Sequence, residues 1–155
     1  MDLGESQDLD SRRPLSASLN RIEEDAVTKA PLPVFISFQT TDSGSRDNLV
    51  EALSARGLDF TDCSMREETD DTWKTEARQR INTSIGTVVL IGETTHLSDP
   101  VAWEIAETRR ARKPILGVRL EGIAPTAVED LIDLDAAIPW DIHEVEHWLR
   151  KWSAR

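Results

Sequence analysis

Three runs of mostly apolar residues stand out along the chain, at residues 34–38, 87–92 and 114–120. Near-continuous hydrophobicity of this length, without alternation, is typical of strands buried on both faces of a parallel sheet. Two weaker segments, residues 58–63 and 136–140, predict shorter strands. Apolar and polar residues alternate in residues 58–63, and this alternation favours an edge strand.

Segments with helical periodicity separate these strands and follow the last one. The first predicted helix ends at Gly57, because glycine tolerates the positive φ of a helix end. The second runs from about residue 72 to Gly86, and the third from an N-cap at Asp99 to about Arg112. A looser region with Pro125 and a short acidic helix follows the fourth strand. The last helix follows Asp141 and carries an apolar face.

The alternation of strands and helices predicts an α/β fold, namely a flavodoxin-like doubly wound sheet of five parallel strands in the order 2-1-3-4-5. Ligands of such sheets bind beyond the carboxyl ends of the strands, where the strand order reverses. Here that position lies between the first and third strands. We therefore expect a functional site built from residues 39–45 and 93–104.

Composition divides the 155 residues into two parts. Residues 1–31 are rich in Ser, Asp, Glu and Arg and carry few apolar side chains, which predicts a flexible acidic arm. Residues 32–155 carry the pattern of one domain of ordinary size.

The formal net charge of −11 bears on partners and location. It disfavours binding to nucleic acid or to a membrane surface through attraction to phosphates. No apolar run approaches the roughly 20 residues of a membrane span. The acidic start does not resemble a secretory signal, and a single cysteine, Cys63, cannot form an internal disulfide. We therefore expect a cytoplasmic protein.

Two features of the expected site could carry chemistry. Residues 39–45 supply hydroxyl groups, an aspartate and a glycine before a helix, which are groups that can hold a phosphate. They are also the ordinary content of a turn, so both interpretations stay open. Glu104 borders the apolar stripe of the third helix and can point into a cleft, and a solvated helix glutamate is the alternative.

Two known uses of this topology fit the residues poorly. A phosphate-accepting receiver domain needs an acidic pair after the first strand, where Phe38 and Gln39 stand, and an aspartate at the end of the third, where Gly92 and Glu93 stand. A flavodoxin needs aromatic residues in the later loops to stack its flavin, and the chain has no tyrosine.

The sequence from His143 to His147 matches the H-E-x-x-H pattern of zinc metalloproteases. Helical periodicity places both histidines away from the apolar face of the last helix, and few residues follow that could supply a third ligand. We interpret the two histidines as an incidental exposed pair and expect no metal site.

Several segments together are similar to one known family. They are VFISF, LDFTDCS, INTSIGTVVLIGETTHLS, VAWEIAET and PILGV. The chain resembles the TIR-like sensor family of Thoeris antiphage systems over about residues 33–122. The most specific part is TVVLIGETTHLS followed by WEI.

The resemblance implies an NAD site. In TIR domains generally, a glutamate in a W-V-x-x-E-I context is the catalytic residue of NAD cleavage, and Glu104 occupies that place. One departure is Pro100, which stands where the family has tryptophan. The expected substrate-binding residues are Phe38, Gln39, Thr41, Asp42, Ser64, Thr94, Ser98 and Trp103.

The function implied by the resemblance is an NAD-cleaving signalling enzyme of bacterial antiphage defence, with NAD+ as substrate and no cofactor. A cyclic ADP-ribose type messenger would be read by a separate effector protein, a phage component would be the trigger, and self-association could complete the site. One carboxylate suffices, because nicotinamide leaves as a neutral group and needs no general acid. The alternative is a non-catalytic TIR-like adaptor, for which Pro100 is the main support.

Overall fold

A computed structural model describes residues 31–58, 60–62, 72–129, 131 and 133–154. Apart from Pro31, the predicted arm lies outside these residues. The strands are β1 Leu32–Ser37, β2 Phe60–Asp62, β3 Thr87–Ile91, β4 Ile115–Arg119 and β5 Ala136–Ile138. They pair in parallel throughout and lie in the order β2-β1-β3-β4-β5. The predicted α/β class with a parallel sheet is confirmed.

Helices cover both faces of the sheet. They are α1 Ser43–Ala55, α2 Trp73–Thr83, α3 Asp99–Arg110 and α4 Ile142–Ser153. Short 3₁₀ turns lie at Thr40–Asp42, Thr95–Leu97 and Pro125–Val128. No helix in the described ranges is long and apolar enough to cross a membrane.

The core lies in two layers because successive residues of a strand point to opposite faces. In β3, Val88 and Leu90 pack in the cluster that contains the buried side chains of α1 and α4. The intervening Val89 and Ile91 pack with the buried side chains of α3. Burial on both faces is why this segment is continuously apolar in sequence.

Several element boundaries differ from the sequence prediction. The N–H of Leu58 donates to the carbonyl of Leu53, so Leu58 lies in the turn that closes α1 and not in β2. Ile85, predicted within the second helix, donates its N–H to the carbonyl of Pro33 beside the sheet. The third helix ends at Arg110 rather than at Arg112. The last strand ends at Ile138.

Candidate functional site

The carboxylate of Glu104 lies inside the protein at the carboxyl end of β1. Ser37, the last residue of β1, donates its hydroxyl proton to Oε1 of Glu104 over 2.5 Å. Glu104 is 4% exposed and Ser37 is 1% exposed. The expectation that Glu104 borders the apolar stripe of its helix is met, since Val101 and Ile105 are buried beside it. The alternative of a solvated glutamate is wrong.

Hydrogen bonds also hold the backbone of Glu104. The hydroxyl of Thr108 donates to the carbonyl oxygen of Glu104 over 2.7 Å. The same hydroxyl lies 2.8 Å from that of Thr87, at the start of β3. Both threonines are fully buried. These contacts fix the middle of α3 against the sheet and so fix the position of Glu104.

The amino end of α3 forms part of the site. Ser98, in an extended conformation, accepts the N–H of Val101 at its Oγ over 3.2 Å. Ser98 is therefore the N-cap, and the prediction of Asp99 in that role is wrong because Asp99 already has helical geometry. Pro100 follows in the first turn, where a missing N–H costs nothing.

A cleft of about 390 Å³ lies where the strand order reverses, and we call it the switch-point cleft. Its lining residues are Phe38, Gln39, Thr40, Thr41, Leu97, Ser98, Asp99 and Pro100. Four of the predicted substrate-binding residues, Phe38, Gln39, Thr41 and Ser98, are thus brought together. Thr94 is tied to this group because its hydroxyl donates to Oε1 of Gln39 over 3.0 Å. Leu97 is 69% exposed.

Asp42 lies on the other side of the loop that follows β1. It lines a separate depression of about 490 Å³, together with Gly92 and Glu93. Its Oδ2 is buried and makes no hydrogen bond to any described residue. Burial raises the pKa of the Asp42 carboxyl above its ordinary value. The structure therefore does not bring Asp42 into the switch-point cleft.

Trp103 faces α2. Its ring meets the ring of Trp73 edge-on with centroids 5.2 Å apart. The guanidinium of Arg78 lies 5.4 Å from the Trp103 ring centroid, and Lys74 lies 5.7 Å from it. Ser64 lies outside the described residues. Substrate contact by Trp103 or Ser64 stays a prediction.

Sequence reasoning missed two side chains near the site. Ser37 is the one polar residue in an apolar strand, which is a signal that the sequence offers. Its hydroxyl donates a hydrogen bond to Glu104. Arg46, on α1, is 1% exposed and pairs with Asp62 at the end of β2 over 3.0 Å. Its guanidinium lies 5.1 Å from the centroid of the Phe38 ring, which lines the cleft. The periodicity of α1 does not predict that a charged arginine would be so deeply buried.

The two histidines of the H-E-x-x-H pattern are exposed on α4. Nε2 of His143 lies 3.4 Å from Nη1 of Arg56. Within the described ranges, no three His, Cys, Asp or Glu side chains are grouped as metal ligands would be.

A family model matches residues 35–124, and it describes the TIR-like domain of the Thoeris protein ThsB. The chain belongs to this family. The match runs from Phe35, within β1, to residue 124, after β4, and therefore includes the switch-point cleft and Glu104. No curated protein matches this ThsB-family chain.

Solved structures resemble this ThsB-family chain at low identity. A pilus assembly-related protein of Burkholderia pseudomallei is 9% identical with a TM-score of 0.53, over 79% of this chain and 90% of that one. This likeness concerns the fold. The CMP N-glycosidase BcmB of Clostridium botulinum is 15% identical with a TM-score of 0.48, over 79% and 98%. The TIR domains of the activated Roq1 resistosome are 17% identical with a TM-score of 0.48, over 79% and 70%.

Proposed function

We propose that this ThsB-family chain is an NAD-cleaving signalling enzyme of antiphage defence, with Glu104 as its catalytic carboxylate. The observation that carries the proposal is the position of the Glu104 carboxylate, which the Ser37 hydroxyl holds at the carboxyl edge of the sheet. The switch-point cleft begins at the next residue, Phe38. Membership of the ThsB TIR-like family supports the defence role.

The chemistry needs one carboxylate. The bond between C1′ of the ribose and the nicotinamide nitrogen breaks, and its electron pair leaves with nicotinamide as a neutral molecule. Positive charge then develops on C1′ and the ring oxygen of the ribose. A carboxylate beside it lowers the energy of this charge, and more so in a site that excludes water.

The second step decides the product. Attack on C1′ by water, with loss of a proton, gives ADP-ribose. Attack by a nucleophilic atom of the ADP-ribose itself, with loss of a proton, gives a cyclic product. We assign the cyclic ADP-ribose type product and a separate effector that reads it, on the resemblance to Thoeris sensors.

Residues around Glu104 have distinct roles in this proposal. Ser37 holds one oxygen of the carboxylate and so orients it. Phe38 offers an aromatic surface, and Gln39 and Thr41 offer polar groups for the hydroxyls and phosphates of NAD+. Ser98 fixes the start of the helix that carries Glu104.

A non-catalytic adaptor is the second candidate, and two observations favour it. Glu104 is 4% exposed, so contact with a ribose requires the groups that cover it to move. Pro100 lines the switch-point cleft where the family has tryptophan. If the chain is an enzyme, self-association or a phage component would move the groups that cover Glu104. If it is an adaptor, these groups need not move.

The test is incubation of NAD+ with concentrated protein, followed by chromatography and mass analysis of the products. Wild type should release nicotinamide, and Glu104→Gln should be slower by about 100-fold or more, because a charge-stabilising group is lost. Glu107→Gln is the matched control. Glu107 is a second buried glutamate of α3, but it pairs with Arg78 over 2.8 Å. This control should keep the activity.

Two results would contradict the enzyme. One is equal nicotinamide release by wild type and Glu104→Gln. The other is full signalling by Glu104→Gln in infected cells. If purified wild type shows no turnover, the same assay on metabolites from infected cells decides between an enzyme that awaits its trigger and an adaptor.

A further inference from the structure

A second depression, of about 520 Å³, lies at the opposite edge of the sheet. Its walls include Pro114 and Asp135, which immediately precede β4 and β5. Because all strands run parallel, this edge carries their amino ends, whereas the switch-point cleft lies at their carboxyl ends. We call this depression the amino-edge pocket. It is large enough for a small-molecule ligand.

The amino-edge pocket is cationic, although the chain carries a net charge of −11. Its lining includes Arg109, Arg112, Lys113 and Lys151 against one carboxylate, that of Asp135. That carboxylate is already engaged. Its Oδ1 lies 3.3 Å from Nη2 of Arg109, and its Oδ2 accepts the N–H of the first β4 residue over 2.6 Å.

The other cations have no acidic partner in the part of the chain that the structure describes. Lys113 donates to the main-chain carbonyls of Asn82 and Ser84 at the end of α2, and burial lowers its pKa. The Lys151 ammonium lies 5.0 Å from the ring centroid of Trp148. Arg112 makes no side-chain hydrogen bond or ion pair to a described residue. Among the described residues that line it, the pocket therefore has more positive than negative charge.

The position of Arg112 is unusual in backbone terms. It follows the end of α3 with φ of 61°. The N–H of Lys113 donates to the carbonyl of Thr108 over 3.2 Å, and that of Arg112 to Arg109 over 3.0 Å, which is a Schellman motif. Helix α1 ends with the same pair of bonds and has Gly57 at the equivalent position, with φ of 83°.

Glycine is the residue that favours this conformation, because it has no Cβ to clash. Helix α3 keeps an arginine there, and the arginine side chain lines the amino-edge pocket. Backbone strain held in place beside a pocket is a reason to look for function there. A guanidinium that binds phosphate through several N–H groups is such a function.

An aromatic surface adjoins these cations. Trp148 is partly buried on α4 and lines the pocket together with Lys151 of the next turn. The Lys151 ammonium lies over the Trp148 ring. A planar ligand ring would take its place on the tryptophan while Lys151 turns to bind the ligand's phosphates. A nucleotide is a small molecule that carries both a planar ring and phosphate.

We propose that the amino-edge pocket is a nucleotide-binding site, in which Arg112 and Lys151 bind the phosphates and Trp148 packs against the base. The site is separate from the switch-point cleft and does not depend on catalysis by Glu104.

The experiment is calorimetric titration of the full chain with ATP at fixed, low salt. Arg112→Gly and Lys151→Gln should each weaken ATP binding by about tenfold, as expected for loss of one charge-assisted hydrogen bond. Arg150→Gln is the matched control. It removes the same charge one residue from Lys151, but Arg150 pairs with Glu146 over 2.8 Å and does not line the pocket. It should bind ATP within about twofold of wild type.

A melting curve separates binding from folding. Arg112→Gly places glycine in the conformation that glycine prefers, so its melting temperature should equal or exceed that of wild type while its ATP affinity falls. Inorganic tripolyphosphate should bind more weakly than ATP, because it lacks the ring.

Three results would overturn the nucleotide site. They are no saturable binding of ATP by wild type at millimolar concentration, equal weakening by Lys151→Gln and Arg150→Gln, and equal affinity for tripolyphosphate and ATP. Each is independent of whether the chain cleaves NAD+.

Discussion

The hydroxyl of Ser37 and the carboxylate of Glu104 meet where bulk water has almost no access. A carboxylate in such a place loses its hydration, so its hydrogen bonds within the protein must replace that hydration. The short strand-to-helix contact therefore bears on both stability and orientation. Removing either partner takes this one hydrogen bond from the other.

Replacement of Ser37 by alanine should lower the free energy of unfolding by about 1–3 kcal/mol, because a hydrogen bond to a buried carboxylate is lost. It should also slow nicotinamide release, if Glu104 is catalytic. Urea unfolding and the NAD assay measure the two effects. Ser84→Ala is the control, since this buried hydroxyl donates only to the neutral carbonyl of Ile81 over 2.8 Å. A loss for Ser37→Ala no greater than that of the control would contradict this account.

Asp42 gives a pH-dependent prediction. Its raised pKa means that the folded state holds the proton more tightly than the unfolded chain, whose carboxyl has the ordinary value of 3.8. Stability from this group is therefore complete below pH 3.8 and is lost as the pH rises through the folded-state pKa. Asp42→Asn should be more stable than wild type at pH 7, and this advantage should disappear below pH 3.8. Urea unfolding across this range measures the difference, and greater stability of wild type at pH 7 would contradict it.

The face of α3 on which Glu104 lies could be predicted from sequence, because its position beside Val101 and Ile105 fixes that face. Which residue a side chain contacts on such a face could not be predicted. Trp103 adjoins Glu104 in sequence, yet its ring packs on Trp73 of α2. Periodicity gives the direction of a side chain from its own helix, whereas the contact depends on how two helices pack.

At the scale of elements, α4 packs very closely on the start of β3. A Cβ atom on Gly86, just before β3, would lie 2.6 Å from Cζ3 of Trp152 and 3.0 Å from Cγ of Pro114. Real side chains do not approach so closely. The sequence predicted that Gly86 ends the second helix, but α2 already ends at Thr83. The structure shows instead that Trp152 occupies the space that a side chain at Gly86 would need.

Gly86→Ala should therefore destabilise the protein by about 1–3 kcal/mol, as overpacking of a core does. It should also shift the tryptophan emission, because the Trp152 ring must move. Urea unfolding followed by fluorescence measures both. Gly44→Ala is the control, because no atom lies within 4 Å of a Cβ at Gly44, on the surface of α1. Equal stability of the two variants would show that the ring yields without cost.

Elements were more predictable than their ends. The apolar runs of β1, β3 and β4 follow from burial on two faces, which is a property of each segment alone. The ends depend on partners distant in sequence. Ile85 leaves the helical pattern because the carbonyl of Pro33 accepts its N–H over 2.7 Å. Rules based on neighbouring residues in the sequence cannot predict that hydrogen bond.

For the whole molecule, the alternation of strands and helices placed the cleft correctly between the segments after β1 and β3. The alternation could not predict which residues of the loop after β1 line the cleft. Thr41 lines the switch-point cleft, but Asp42 lines another depression. The reason is the 3₁₀ turn Thr40–Asp42, in which successive side chains are rotated by about 120°. Such a turn is not visible in a run of polar residues.

Both outer strands of the sheet are short. β2 and β5 have three residues each, at opposite borders of the five-stranded sheet. A strand from another protein or from a misfolded copy can pair with the unpaired N–H and C=O groups of an edge strand. A short edge strand offers few of these groups. Growth of the sheet from copy to copy would therefore gain little pairing at either end. Where the structure describes the sheet, its two borders therefore favour association of copies through helices or loops over pairing from edge to edge.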